Sequence, residues 1–148
     1  MAQTFQSAST LYLKHLFPIM RITRQLETGA VTDLLTGLTY TEVLALMEYD
    51  TLEEDAIITV NDAVLHVRTA AGSVVTADIG IANIGTDTDN TFFNDADLNT
   101  TGTVYTTVTR ARNLGPDQHL VAKASTDVGA NLDARVDFDF TLMRRRRF

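Results

Sequence analysis

The tightest limit on the fold comes from residues 135–142, Arg-Val-Asp-Phe-Asp-Phe-Thr-Leu, where polar and apolar side chains alternate without a break. Successive side chains of a β-strand point to opposite faces, so Val136, Phe138, Phe140 and Leu142 share one face and Arg135, Asp137, Asp139 and Thr141 the other. A helix would scatter both sets around its circumference, whereas a half-buried strand puts one set in a core and one in water. The same period sets Val75, Ala77, Ile79 and Ile81 against Thr76, Asp78 and Gly80. It also sets Ala63, Leu65 and Val67 against Asp62, Val64, His66 and Arg68. Weaker alternation marks residues 103–110, with Val104 and Val108 against Tyr105 and Thr107, and residues 119–125, where Leu120, Ala122 and Ala124 face together.

Turn-forming pieces separate these strands: residues 69–73 around Gly72, a long polar loop over 83–102, residues 113–117 with Gly115-Pro116, and residues 125–132 around Gly129. Short strands spaced by such turns predict an all-β protein, a sandwich or a barrel, and an antiparallel β-sandwich is preferred. Residues 40–49 fit two descriptions. Thr39 and Glu42 match the capping box of a short helix, while Val43-Leu44-Ala45-Leu46-Met47 matches a buried strand, and the strand is preferred.

The 148 residues suit one domain, and 45% apolar content is enough to build its core. There is no cysteine, which removes disulfides, thiolate metal sites and a cysteine nucleophile. No run approaches the length of a membrane span, and the first residues lack a secretion signal, so a soluble, unexported protein is expected.

The first 36 residues differ in kind. Ser9-Thr10 can cap a short helix carrying Leu11, Leu13, Leu16 and Phe17 and stopped by Pro18, or the same leucines can lie on an extended arm; residues 19–26 can add a strand. The expected division is an N-terminal arm over 1–36, a sandwich over 37–143 and a basic tail over 144–148. Charge follows this division. Residues 1–26 hold Lys14, Arg21 and Arg24 with no acid, and the chain ends Arg144, Arg145, Arg146, Arg147, Phe148. Between residues 27 and 143 only five basic residues stand against all 19 acids, a body charge of −14. Basic ends on an acidic body point to ends that act on another surface.

Catalytic chemistry finds little support. Ser7, Ser9, Ser73 and Ser125 lie in no nucleophile elbow, and His15, His66 and His119 have no metal spacing; His66 and His119 read as ordinary surface histidines. The cluster Asp87, Asp89, Asn90, Asn94, Asp95 and Asp97 offers oxygen ligands for calcium, but without the glycine and final glutamate of an EF-hand it reads as a solvated loop. Asp137 and Asp139 share a strand face as glycosidase carboxylates do, yet no Trp supplies a sugar platform, so a solvent face is expected. No phosphate-binding glycine loop is present. Neither a cofactor nor a metal is expected. The arginine run could touch phosphates, but the acidic body opposes close approach of nucleic acid, which leaves docking on an acidic protein partner, the preferred reading, or a merely solubilising tail.

From about Leu52 onward the order of elements resembles small jelly-roll proteins of tailed bacteriophages that decorate or cement the capsid, or cap fibres attached to it. The resemblance rests on a turn and strand, Leu52-Glu-Glu-Asp-Ala-Ile-Ile and residues 63–69, leading into Val-Val-Thr-Ala-Asp-Ile-Gly-Ile-Ala over 74–82. An Asp-rich loop with aromatics follows, Asp87-Thr-Asp-Asn-Thr-Phe-Phe-Asn-Asp-Ala-Asp-Leu, and the chain closes on the charged alternating strand 135–142. The acid-free N-terminus and the 144–148 tail depart from that pattern.

The resemblance implies a non-enzymatic virion protein, made in the host cytoplasm and carried on the capsid surface. It implies a jelly-roll body, a homotrimer, and the major capsid protein as partner, with no membrane. Leu11, Leu13, Leu16 and Phe17 would bury area on the shell, while Lys14, Arg21, Arg24 and Arg144 to Arg147 with Phe148 would select an acidic surface. Of Phe92 and Phe93, one is expected to anchor the loop and one to meet the partner. A tail, neck or fibre subunit would use the same parts, and a carbohydrate-binding module working through residues 86–99 and 124–132 is the alternative of another class.

Overall fold

The structure, a computed structural model, describes residues 19–35, 38–47, 55–85, 91–106 and 111–145. Among the described residues eight strands carry the fold: β1 Ile19–Gln25, β2 Asp55–Thr69, β3 Thr76–Asn83, β4 Phe93–Asp97, β5 Val104–Thr106, β6 Arg112–Leu114, β7 Gln118–Ala124 and β8 Asp133–Arg145. One helix, α1 Tyr40–Leu46, interrupts them. All the pairings are antiparallel and form two sheets.

In the first sheet β8 lies between β1 and β2, and β5 and β6 share the far edge of β2. The second sheet runs β4-β3-β7. Along the open edge of β7 runs an extended stretch, residues 32–35 and 38–39. Leu34 N–H donates to the Ala122 carbonyl at 2.8 Å, Ala124 N–H to the Thr32 carbonyl at 2.8 Å, and Leu120 N–H to the Leu38 carbonyl at 3.0 Å. The pairings therefore nest. The first strand pairs with the last, residues 32–39 with β7, β2 with β5 and β6, and β3 with β4.

The alternation in residues 135–142 is what locks β8 into the middle of the first sheet. Val136, Phe138 and Phe140 are fully buried and Leu142 nearly so, all turned toward the second sheet. From the other side Ala77, Ile79, Ile81, Leu120 and Ala122 meet them in one continuous core. The sandwich is thus two apolar faces closed on each other, as the period-two patterns require.

Three expectations are corrected. Residues 40–46 are a helix, not a strand. The Thr39 side chain accepts from the Glu42 N–H at 3.3 Å while the Glu42 carboxylate accepts from the Thr39 N–H at 3.0 Å, so the capping box satisfies two donors that a strand would leave to its neighbours. Only Val43 and Leu44 of the apolar run are buried by it. Thr39→Ala should cost about 1 kcal/mol of stability by urea unfolding, the usual loss of an N-cap.

The second correction concerns the long loop over 83–102, which contains β4. Opposite Ala77 to Ile79 of β3, β4 carries one extra residue between Ala96 and Phe93, and Asp95 takes a left-handed backbone (φ 53°) in that bulge. Aspartate tolerates this conformation better than a branched residue would, and the bulge blunts an edge strand against further pairing. The third correction is that Phe92 and Phe93 are both buried within the chain, where one was expected to be exposed. Phe92 packs on Phe138 at 6.2 Å between ring centres and Phe93 on Tyr105 at 6.3 Å. Consecutive side chains share the interior because Phe92 lies just before β4 begins, where the alternation does not yet apply.

The chain ends also join the sheets further than their sequence suggests. β1 and residues 32–35 lie inside the span read as an N-terminal arm, and Arg144 and Arg145 lie inside β8 rather than beyond it.

Candidate docking face and the paired chain ends

Strand register brings a row of polar side chains together on the outer face of β1, β8 and β2. Arg21 sits opposite Asp139 and Thr23 opposite Asp137, while Arg135 lies between Gln25 on one side and His66 on the other. Arg21 donates from Nε to Asp139 Oδ1 at 2.7 Å and from Nη2 to Oδ2 at 3.0 Å, a fork matched to a carboxylate. Asp137 accepts from the Thr23 hydroxyl at 2.7 Å and lies 3.3 Å from His66 Nε2. Gln25 Nε2 donates to Asp133 Oδ1 at 2.8 Å, and Asn61 Nδ2 to the Thr141 hydroxyl at 2.6 Å.

Two residues of this face depart from the solvent-face reading. Asp137 is buried at 7% exposure, which a carboxylate tolerates only because Thr23 and His66 are placed against it. Its neighbour Arg135 has a buried Nε with no hydrogen-bond partner. Both flanking aspartates are engaged elsewhere, Asp133 by Gln25 and Asp137 by Thr23 and His66.

The fork from Arg21 holds the Asp139 carboxyl below the usual aspartate range, and Asp139 in turn raises the Arg21 guanidinium. Asp97 is likewise lowered, by the backbone N–H of Asn99 and the Thr100 hydroxyl. A carboxyl that binds its proton less readily when folded adds stability above its unfolded pKa, and that stability is lost as pH falls through the folded value. The urea midpoint should therefore hold between pH 7 and about 5 and decline below about 4, near the unfolded aspartate value. In Asp139→Asn the acid decline should be shallower, and an identical pH profile would remove Asp139 as a source.

The register also fixes where the two chain ends attach. Ile19, the first residue of β1, pairs with Thr141, near the end of β8. Ile19 and Arg145 thus lie at the same end of the same sheet, roughly 14 Å apart at a strand rise of about 3.4 Å per residue.

Of the residues singled out from sequence, Leu11, Leu13, Lys14, Leu16, Phe17, Arg146, Arg147 and Phe148 lie outside the described residues. Arg24 falls on the inward side of β1 with Ile22 and Leu26, half-buried at the sheet edge. Arg21 is neutralised by Asp139 and is not a free cation for a partner. In the acidic cluster, Asp87, Asp89 and Asn90 lie outside the described residues. Asp97 accepts from Asn99 and Thr100, and the Asp95 N–H donates to Asp78 Oδ1 at 2.8 Å. Among the described residues no group of three or more His, Cys, Asp or Glu side chains is placed to hold a metal ion, and no helix is long and apolar enough to cross a membrane. The Arg135 position and the Thr23–Asp137–His66 contact were not singled out from sequence, because they depend on which strands pair.

No family model matches the chain, and no curated protein matches it. Among solved structures, a chain in the acidic stable capsid structure of Helicobacter pylori bacteriophage KHP30 is similar, with a TM-score of 0.49 and 12% identity over 89% of this chain and 94% of that one. A likeness of that size assigns the chain to no family.

Proposed function

We propose that the chain is a non-enzymatic structural subunit of a virion. In this reading it is a capsid decoration or cement protein, acting as a trimer, that docks on the major capsid shell through its two ends. The observation that carries the reading is the attachment of both basic ends to one end of the β1-β8 pair. Two short segments leaving neighbouring points can engage one acidic surface together, and the second contact then forms at high effective concentration. Each contact can be weak while the pair holds.

We read the nested strand order as that of a jelly roll, with β1, β8, β2 and β5/β6 in one sheet and residues 32–35 and 38–39, β7, β3 and β4 in the other. That order supports the resemblance read from residues 52–142. A body whose β1 begins and β8 finishes on one side suits a part laid on a shell.

Co-sedimentation of the purified protein with shells that lack it tests the reading. Saturable binding that weakens as salt rises from 0.05 to 0.5 M is the expected result, since contacts between exposed charges are screened. Absence of binding, together with rings or tubes formed by the protein alone, would instead make it a tail component.

A further inference from the structure

A cleft of about 410 Å³ opens where β6 turns into β7 beside the end of β3, lined by Ile81, Thr91, Arg112, Asn113 and Gln118. Its polar groups are arranged as donors. The Asn113 carbonyl oxygen accepts from the Thr59 hydroxyl at 3.0 Å, which leaves its Nδ2 as the end able to donate. The Gln118 carbonyl oxygen accepts from the Gly115 N–H at 2.9 Å, so its amide nitrogen is the free-running end, with only a long 3.4 Å contact to Asn83. Arg112 is exposed, and among the described residues no carboxylate pairs with it. No acid is among the described lining residues, in a chain whose body carries a charge of −14.

We propose that this cleft is a second binding site and takes a carboxylate side chain from an acidic segment of a partner protein. A guanidinium fork beside two side-chain amides matches the two oxygens of an Asp or Glu carboxylate. Ile81, buried at the cleft's base, gives the side chain's methylene groups an apolar floor. A sugar acid would want an aromatic platform, and the described lining has none. The cleft lies across β8 and β2 from the start of β1, since Ile19 pairs with Thr141, Thr141 with Thr59 and Thr59 with Asn113, and the proposal stands whether or not the chain belongs to a capsid.

The test is a titration of the ¹⁵N-labelled full chain, followed through the Arg112 backbone signal and the Asn113 and Gln118 side-chain amides. The probes are the peptide acetyl-Gly-Glu-Asp-Glu-Gly-amide, its Gln-Asn-Gln counterpart, and inorganic phosphate. The acidic peptide should shift these signals and the amide peptide should not. Arg112→Gln should weaken the response roughly tenfold or more, the scale of a lost charge-assisted pair, with Arg112→Lys between the two. Because Arg112 is exposed, both variants should keep the parent spectrum elsewhere. The proposal is overturned by no shift with the acidic peptide, by equal shifts with the amide peptide or in Arg112→Gln, or by phosphate acting where the peptide does not. It is also overturned if the peptide binds only after Asp87 and Asp89 are changed to Asn, for then the chain's own acids fill the cleft.

Discussion

Phe138→Ala should destabilise the protein by about 3–5 kcal/mol, the range for removing a fully buried aromatic ring from a packed core. Phe138 has no exposure, and its ring packs between Phe92 and Phe140, each at 6.2 Å between centres. In register it lies beside Ile22 of β1 and Ala63 of β2, so the cavity would open at the junction of three strands and against the facing sheet. Those neighbours are held by backbone pairing on both sides and cannot collapse into the gap. With a total stability of about 5–15 kcal/mol for a domain of this kind, the variant should lose from about a fifth of its stability to all of it. On the same strand, Met143→Ala changes a residue that is nearly half exposed and should stay within about 0.5 kcal/mol of the parent. Urea unfolding of both variants checks the contrast.

The second large effect concerns binding. Removing residues 1–17 leaves Ile19 and all of β1 in place, and removing 146–148 leaves β8 complete. The doubly truncated body should therefore unfold at the parent's urea midpoint. Its binding to shells should fall to background, whereas loss of one end should lower affinity by about 10²–10⁴, the gain that linking two weak contacts supplies. Either truncation alone should remove most of that gain, because the effect belongs to the pair and not to one end. Co-sedimentation across a concentration series measures it. A body without both ends that binds shells as tightly as the whole chain would place the contact on the sandwich itself.

Much of the fold was legible because sandwich strands write their burial locally. Val136, Phe138, Phe140 and Leu142 declare a half-buried strand within eight residues, and the alternation at 63–68 and 75–81 does the same. Failures fall where the deciding interaction lies outside the window. At Val43 to Met47 the apolar run fits either structure, and the reciprocal Thr39–Glu42 bonds decide for the helix. At Phe92 and Phe93 a polar neighbourhood suggests a loop, but the rings reach Phe138 and Tyr105 across the sandwich.

The site was less legible than the fold. Charge on the first 26 residues and on the last five is visible in the sequence, yet its use depends on register. Arg21 and Asp139 are 118 residues apart and still form the best ion pair of the outer face. No local pattern announces which strand will lie beside which, so a basic residue expected to seek a partner turns out to be satisfied at home. The same is true of the cleft at Arg112, assembled from β3, β6, β7 and the residue ahead of β4. Conversely, the nesting of first strand with last turns two distant basic segments into neighbours, which the sequence alone presents only as two ends.

A density map of the assembled particle, produced by the genome that encodes this chain, tests the central claim most directly. The account predicts the sandwich on the outer surface of the shell, with the end of the sheet where β1 begins and β8 finishes turned toward the major capsid protein. A map that finds the chain only in the tail or neck, or on the shell with that end facing solvent, would contradict it.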